Sequence, residues 1–63
     1  MKSQYDPEAD ALFVRFSDAV IEGSEEVAPG IILDFDDQHR IVALEVLNAR
    51  AKMATGALPA AAE

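Results

Sequence analysis

IILDFDDQHRIVALEVL, residues 31–47, is a pair of strand patterns around a polar tip. In the first arm Ile31, Leu33 and Phe35 alternate with Ile32, Asp34 and Asp36, the two-residue period of a strand with one buried face. The second arm, IVALEVL, is aliphatic on both faces and interrupted only by Glu45. Such a strand belongs in the middle of a sheet with a cover on each side. An even loop of two or four residues sets Leu33 beside Val42 and Ile31 beside Leu44. A three-residue loop would carry Glu45 onto the Ile31 face, so the even loop is expected.

Toward the N-terminus, Ala28-Pro29-Gly30-Ile31 has the proline and glycine of a type II turn, whose third residue needs positive φ. Val20–Val27 should therefore be a strand, and its charges mark it as an irregular edge. Ala11–Phe16 is another, with Leu12, Val14 and Phe16 on one face and Phe13 and Arg15 on the other. Met1–Tyr5 is a short edge strand. Asp6 and Pro7 suit the first two positions of a type I turn, so Asp6, Glu8 and Asp10 mark a hairpin connection. Past residue 47, Asn48 is a suitable N-cap for a helix through ARAKMA, ended by Gly56 and Pro59. The expectation is an α+β fold: an antiparallel sheet of about five short strands in meander order, with one short C-terminal α-helix. Residues 1–56 form the single domain and 57–63 a flexible tail.

Stability constrains a chain of 63 residues, because so small a core barely offsets the entropy of ordering it. There is no cysteine and one histidine, so neither disulfides nor a cysteine-based zinc site can staple the fold. A protein partner remains, and a homodimer or obligate complex is expected. The absence of a long apolar run and of a signal-peptide pattern predicts a cytoplasmic protein with no membrane association. The formal net charge is -7, and residues 18–37 hold Asp18, Glu22, Glu25, Glu26, Asp34, Asp36 and Asp37 with no base. Such a field repels nucleic acids and attracts basic surfaces. Glu22, Glu25, Glu26, Asp34, Asp36 and Asp37 are the candidate partner-binding residues.

Three segments together, YDPEADAL, EEVAPGIILD and RIVALEVLNA, resemble the domain of unknown function 2283 family of small bacterial proteins. The resemblance covers residues 1–49. It implies the fold, and, because members neighbour toxin-like genes in some genomes, an antitoxin-like role; it implies no activity. Where the family has glycine after the acidic turn, this chain has His39, a residue type that tolerates positive φ better than most.

Chemistry has little material. Asp34, Asp36, Asp37 and His39 are the candidate divalent-metal set, but a calcium loop starting at Asp34 would put His39 where glycine is required, and strands flank it. A carboxylate pair could come from Asp6, Glu8 and Asp10 or from Glu45 and Asp34. Glu45, the one acid in a semi-buried strand, is the residue to watch for a raised pKa. No nucleophile motif, phosphate loop or cofactor motif is present. The sequence thus predicts no catalytic residue, no metal and no cofactor, and a binding module that holds a small basic protein. The alternatives are a self-assembling homo-oligomeric structural domain and, ranked below it, a divalent-metal site at the 34–39 hairpin.

Overall fold

The computed structural model describes residues 1–58. Five strands, β1 (Lys2–Asp6), β2 (Ala11–Arg15), β3 (Gly23–Ala28), β4 (Ile31–Phe35) and β5 (Ile41–Leu47), precede a single helical turn, α1 (Ala49–Lys52). All pairings are antiparallel. The α+β class stands, but the sheet order is β1-β2-β5-β4-β3, not a meander. After β2 the chain crosses to the far edge, returns through β4, and inserts β5 at the centre. The doubly apolar sequence of β5 accounts for this, since only the central position covers both of its faces.

Register assigns the faces. Tyr5, Leu12, Val46 and Ile31 form one row across the sheet, and Ser3, Val14, Leu44 and Leu33 the next. On the opposite face lie Gln4, Phe13, Glu45, Ile32 and Glu26, then Lys2, Arg15, Ala43, Asp34 and Ser24. Helix α1 caps only part of the first face. Leu12, Val46 and Ala49 are buried there, with Tyr5, Val14, Ile31, Leu44, Met53 and Leu58 packed around them. Each buried Leu or Val contributes about 1.5–3 kcal/mol. Leu58 packs where a frayed tail was expected; Pro59 and the rest of the tail lie outside the described residues.

The second face is covered at its other end. Residues 16–22 connect β2 to β3, pairing with β5 through Phe16 N–H to Val42 O and with β4 through Glu22 N–H to Phe35 O, both 2.8 Å. Between these anchors the guanidinium of Arg15, which alternation puts on the second face, donates to the carbonyls of Ser17 (2.8 Å) and Ala19 (3.1 Å). That draws the connection over the end of the second face where Ala43 and Asp34 lie, and both are fully buried.

The β4–β5 hairpin closes differently from the even loop. Asp36 N–H bonds Arg40 O at 2.9 Å, which leaves Asp37, Gln38 and His39 as a three-residue loop. His39 takes φ 64°, as its place in the turn requires. A bulge at Val42 then restores the side-chain parity: Phe35 pairs with Ile41 but Asp34 pairs with Ala43. Leu33 therefore faces Leu44 and Ile31 faces Val46, each two residues beyond the expected partner. Glu45 stays off the Ile31 face because the bulge compensates the odd loop.

Candidate functional site

Four of the sequence's acids, Asp6, Asp10, Glu26 and Asp36, are occupied with the backbone. Asp6 accepts the N–H groups of Glu8 (3.0 Å) and Ala9 (3.4 Å), forming the turn after β1. Asp10, at φ 52°, takes the Tyr5 hydroxyl at 2.5 Å and the Arg50 N–H at 3.1 Å on one carboxylate oxygen, while its carbonyl accepts the Ala49 N–H. It is therefore Asp10 that satisfies the first amides of α1. Asn48, expected to cap that helix, sits in the left-handed region at φ 53° with no side-chain capping bond. The Tyr5 bond and the Arg50 amide hold the Asp10 carboxyl below the usual range. The same bond raises the Tyr5 phenol.

Two other acids play similar parts. Glu26 accepts the Gly30 N–H at 2.9 Å across the β3–β4 turn. Asp36 accepts the amides of Gln38 (2.9 Å) and Arg40 (2.8 Å) and the Arg40 guanidinium at 3.0 Å. The Arg40 amide, followed by that of Gln38 and the guanidinium, pulls its pKa down. Phe35 and His39 stack face to face at 4.5 Å, so His39 is a turn residue with an aromatic neighbour.

Of the six candidate partner-binding residues, Glu22, Glu25, Glu26 and Asp37 are exposed, Asp36 is partly buried under Arg40, and Asp34 is buried. The four exposed acids border one feature. Strand β3 lies at the sheet edge, pairs only with β4, and all six of its residues are exposed. Its outer rim presents unpaired backbone groups framed by carboxylates, with Val20 and Val27 beside them at 72% and 51% exposure.

Asp34 belongs to a second feature, beneath the crossover. It is 1% exposed, and one carboxylate oxygen takes the Ser24 hydroxyl from β3 at 2.5 Å. The other, Oδ2, is buried without a protein donor. Glu45 is its diagonal neighbour on β5, since Ile32 pairs with Glu45 and Asp34 with Ala43. The hydrogen bond to Asp34, then burial and repulsion by the Asp34 charge, push the Glu45 carboxyl up to about 7. A protonated Glu45 would supply the donor that Oδ2 lacks. The sequence pointed to Glu45 and named this pair; the burial of Asp34 was hidden, because it depends on a crossover that local pattern does not show.

Ser24 is joined to the Asp34–Glu45 pair, donating its hydroxyl to Asp34 at 2.5 Å. Among the described residues no three His, Asp or Glu side chains are grouped to hold a metal ion, the 34–39 hairpin included. Among them, too, no helix is long and apolar enough to cross a membrane.

No curated protein and no solved structure matches the chain significantly. A family model described as protein of unknown function (DUF2283) matches residues 2–50 of the 63. That span runs from the first residue of β1 to α1 and takes in Tyr5, Asp6, Asp10, Glu26, Gly30 and the β5 strand, the residues that build the turns and centre of the sheet. The chain belongs to this DUF2283 family.

Proposed function

We propose that the protein is a non-catalytic binding module, antitoxin-like in action, that holds a small basic polypeptide along the outer edge of β3. The observation that carries this reading is an exposed edge strand inside an acid-only stretch. An edge strand offers main-chain hydrogen bonds to an added strand, and flanking carboxylates select which strand is added. A second copy of this edge brings like charges together and is disfavoured, whereas a strand bearing Lys or Arg gains at each step. The edge charges thus serve solubility and selectivity together.

Native mass spectrometry of the protein isolated from its own host, in the cytoplasmic fraction, is the direct test. The expected result is a complex with a second, basic chain that weakens with salt and is lost on Glu22→Lys with Glu25→Lys. Recovery of the bare chain alone, or a complex indifferent to both substitutions, refutes it. A second reading, a self-assembling homodimer, is favoured by half-exposed Phe16, Ile41 and Leu47. In the same measurement it gives twice the chain mass and no second polypeptide.

A further inference from the structure

Ser24, Asp34 and Glu45 link three strands through polar side chains on the second face. Ser24 on β3 donates to Asp34 on β4, and Asp34 meets Glu45 on β5. Asp34 is buried with an oxygen that no protein N–H or hydroxyl reaches. A buried acceptor left in that state costs as much as a lost hydrogen bond, and two facing carboxylates add repulsion. Satisfaction therefore depends on one movable proton.

We propose that Glu45, Asp34 and Ser24 form a proton-operated latch that fastens edge strand β3 to the centre of the sheet. With the proton in place Glu45 donates to Asp34, Asp34 holds its orientation, and Ser24 is fixed to it. When the proton leaves, Asp34 turns away from Glu45, the Ser24 bond breaks, and β3 opens from β4 more often. The latch concerns the sheet itself and stands whether or not β3 receives a partner.

Charged neighbours do not relieve it. On the second face β2 offers Arg15, whose guanidinium bonds the Ser17 and Ala19 carbonyls. Strand β1 offers Lys2, two strands away from β5, and β3 offers Glu26, which is committed to the Gly30 amide. The crossover contributes Asp18 and Glu22, both exposed acids. None of these supplies a positive charge to an ionised Glu45: among the described residues, repulsion from Asp34 is the charge effect on its carboxyl.

The sign follows from linkage. Glu45 holds its proton more tightly in the latched state than in the open one, where it returns toward the ordinary value of 4.5. Opening therefore grows as pH rises from about 4.5 to about 7 and is level above. In full, that interval would multiply opening a few hundredfold; screening at a carboxyl that is partly exposed reduces it to roughly 10–100-fold.

Hydrogen exchange of the β3 amides that pair with β4, followed by NMR across this range in the native protein and in Glu45→Gln, tests the latch. The glutamine amide donates to Asp34 at every pH, so the ratio of native to variant exchange cancels the chemistry of exchange. A ratio that climbs roughly 10–100-fold up to about pH 7 and then levels supports the proposal. A ratio that stays constant overturns it. Should Glu45→Gln fail to fold, the Glu45 side-chain carboxyl can be titrated by carbon NMR in the native protein, and a midpoint below about 5 overturns the proposal equally. Ser24→Ala should speed β3 exchange below about pH 7, where the latch is closed, and converge on the native rate above it, while leaving the Glu45 midpoint high; unchanged exchange at low pH in that variant also counts against the latch.

Discussion

Replacing Gly30 with alanine tests the joint where the β3–β4 turn meets the end of β5. Gly30 has φ 75°, donates its N–H to Glu26 and accepts the Leu47 N–H on its carbonyl at 2.8 Å. A Cβ there would stand 2.8 Å from Lys52 Nζ and 3.4 Å from Leu47 O. The left-handed backbone costs an L-residue about 1–2 kcal/mol. The ammonium group must also move, losing its 2.8 Å bond to the Leu47 carbonyl, an exposed contact worth roughly 0.5 kcal/mol. Gly30→Ala should therefore cost about 1.5–2.5 kcal/mol, a large share of the roughly 3–9 kcal/mol available to a chain this long. Urea denaturation at fixed pH gives the value. In a Lys52→Ala background the cost should drop to the backbone part alone, and Gly30→Asn should cost less than alanine because Asn tolerates this conformation. Gly30→Val, β-branched as well, should cost distinctly more than alanine. A Gly30→Ala penalty below about 0.5 kcal/mol would show that strain at this turn does not limit stability, and the reasoning would fail.

Other expectations follow from the same contacts. Tyr5 is the single tyrosine and there is no tryptophan, so ultraviolet titration should show one phenol ionising later than usual, and Asp10→Asn should move that midpoint back down. Asp10→Ala should lower the melting temperature more than Asp10→Asn, since only the latter keeps an acceptor for the Arg50 amide. Val46→Ala, at a site 3% exposed in the helix-side core, should cost about 2 kcal/mol in the same urea assay. His39→Gly should stay within about 0.5 kcal/mol, because relief at positive φ offsets the lost stacking on Phe35. Asp10 and Asp36, whose folded pKa values are lowered, contribute stability above the ordinary aspartate value of 3.8, and that contribution should vanish as pH falls through their folded values. The acid limb of a stability profile thus belongs to these two, apart from the Glu45 interval.

Local pattern revealed individual strands better than their arrangement. β1 and β3 were legible as edges from short length and charge, and β5 as central from its two apolar faces. Those three assignments are incompatible with a meander, in which β3 would be central and β5 an edge; with β1 hairpinned to β2 and β4 to β5, they require the order observed. The hairpin shows why register is harder: an odd loop and a bulge cancel, so the side-chain faces came out as expected while every partner from Asp34 back to Ile31 shifted by two. Asn48 has the composition of a cap, yet the first amides of α1, those of Ala49 and Arg50, are served from Asp10, a contact only the closed sheet creates. Asp34 alternates with apolar residues as a solvent-facing acid would. Its burial follows from the path of residues 16–22, which carry no regular pattern.

The strand order has a consequence for how the protein is made. β2 and β4 touch only through β5, the last strand to leave the ribosome, so the first forty residues can form two separate hairpin-like pieces and no sheet. The central contacts span long stretches of chain, which slows folding and makes it cooperative. A chain cut short before residue 41 is consequently not a weaker version of the protein but a pair of unpaired fragments with open edges. β5 must be made before the sheet can close, and a copy that stops short of it is exposed to proteolysis.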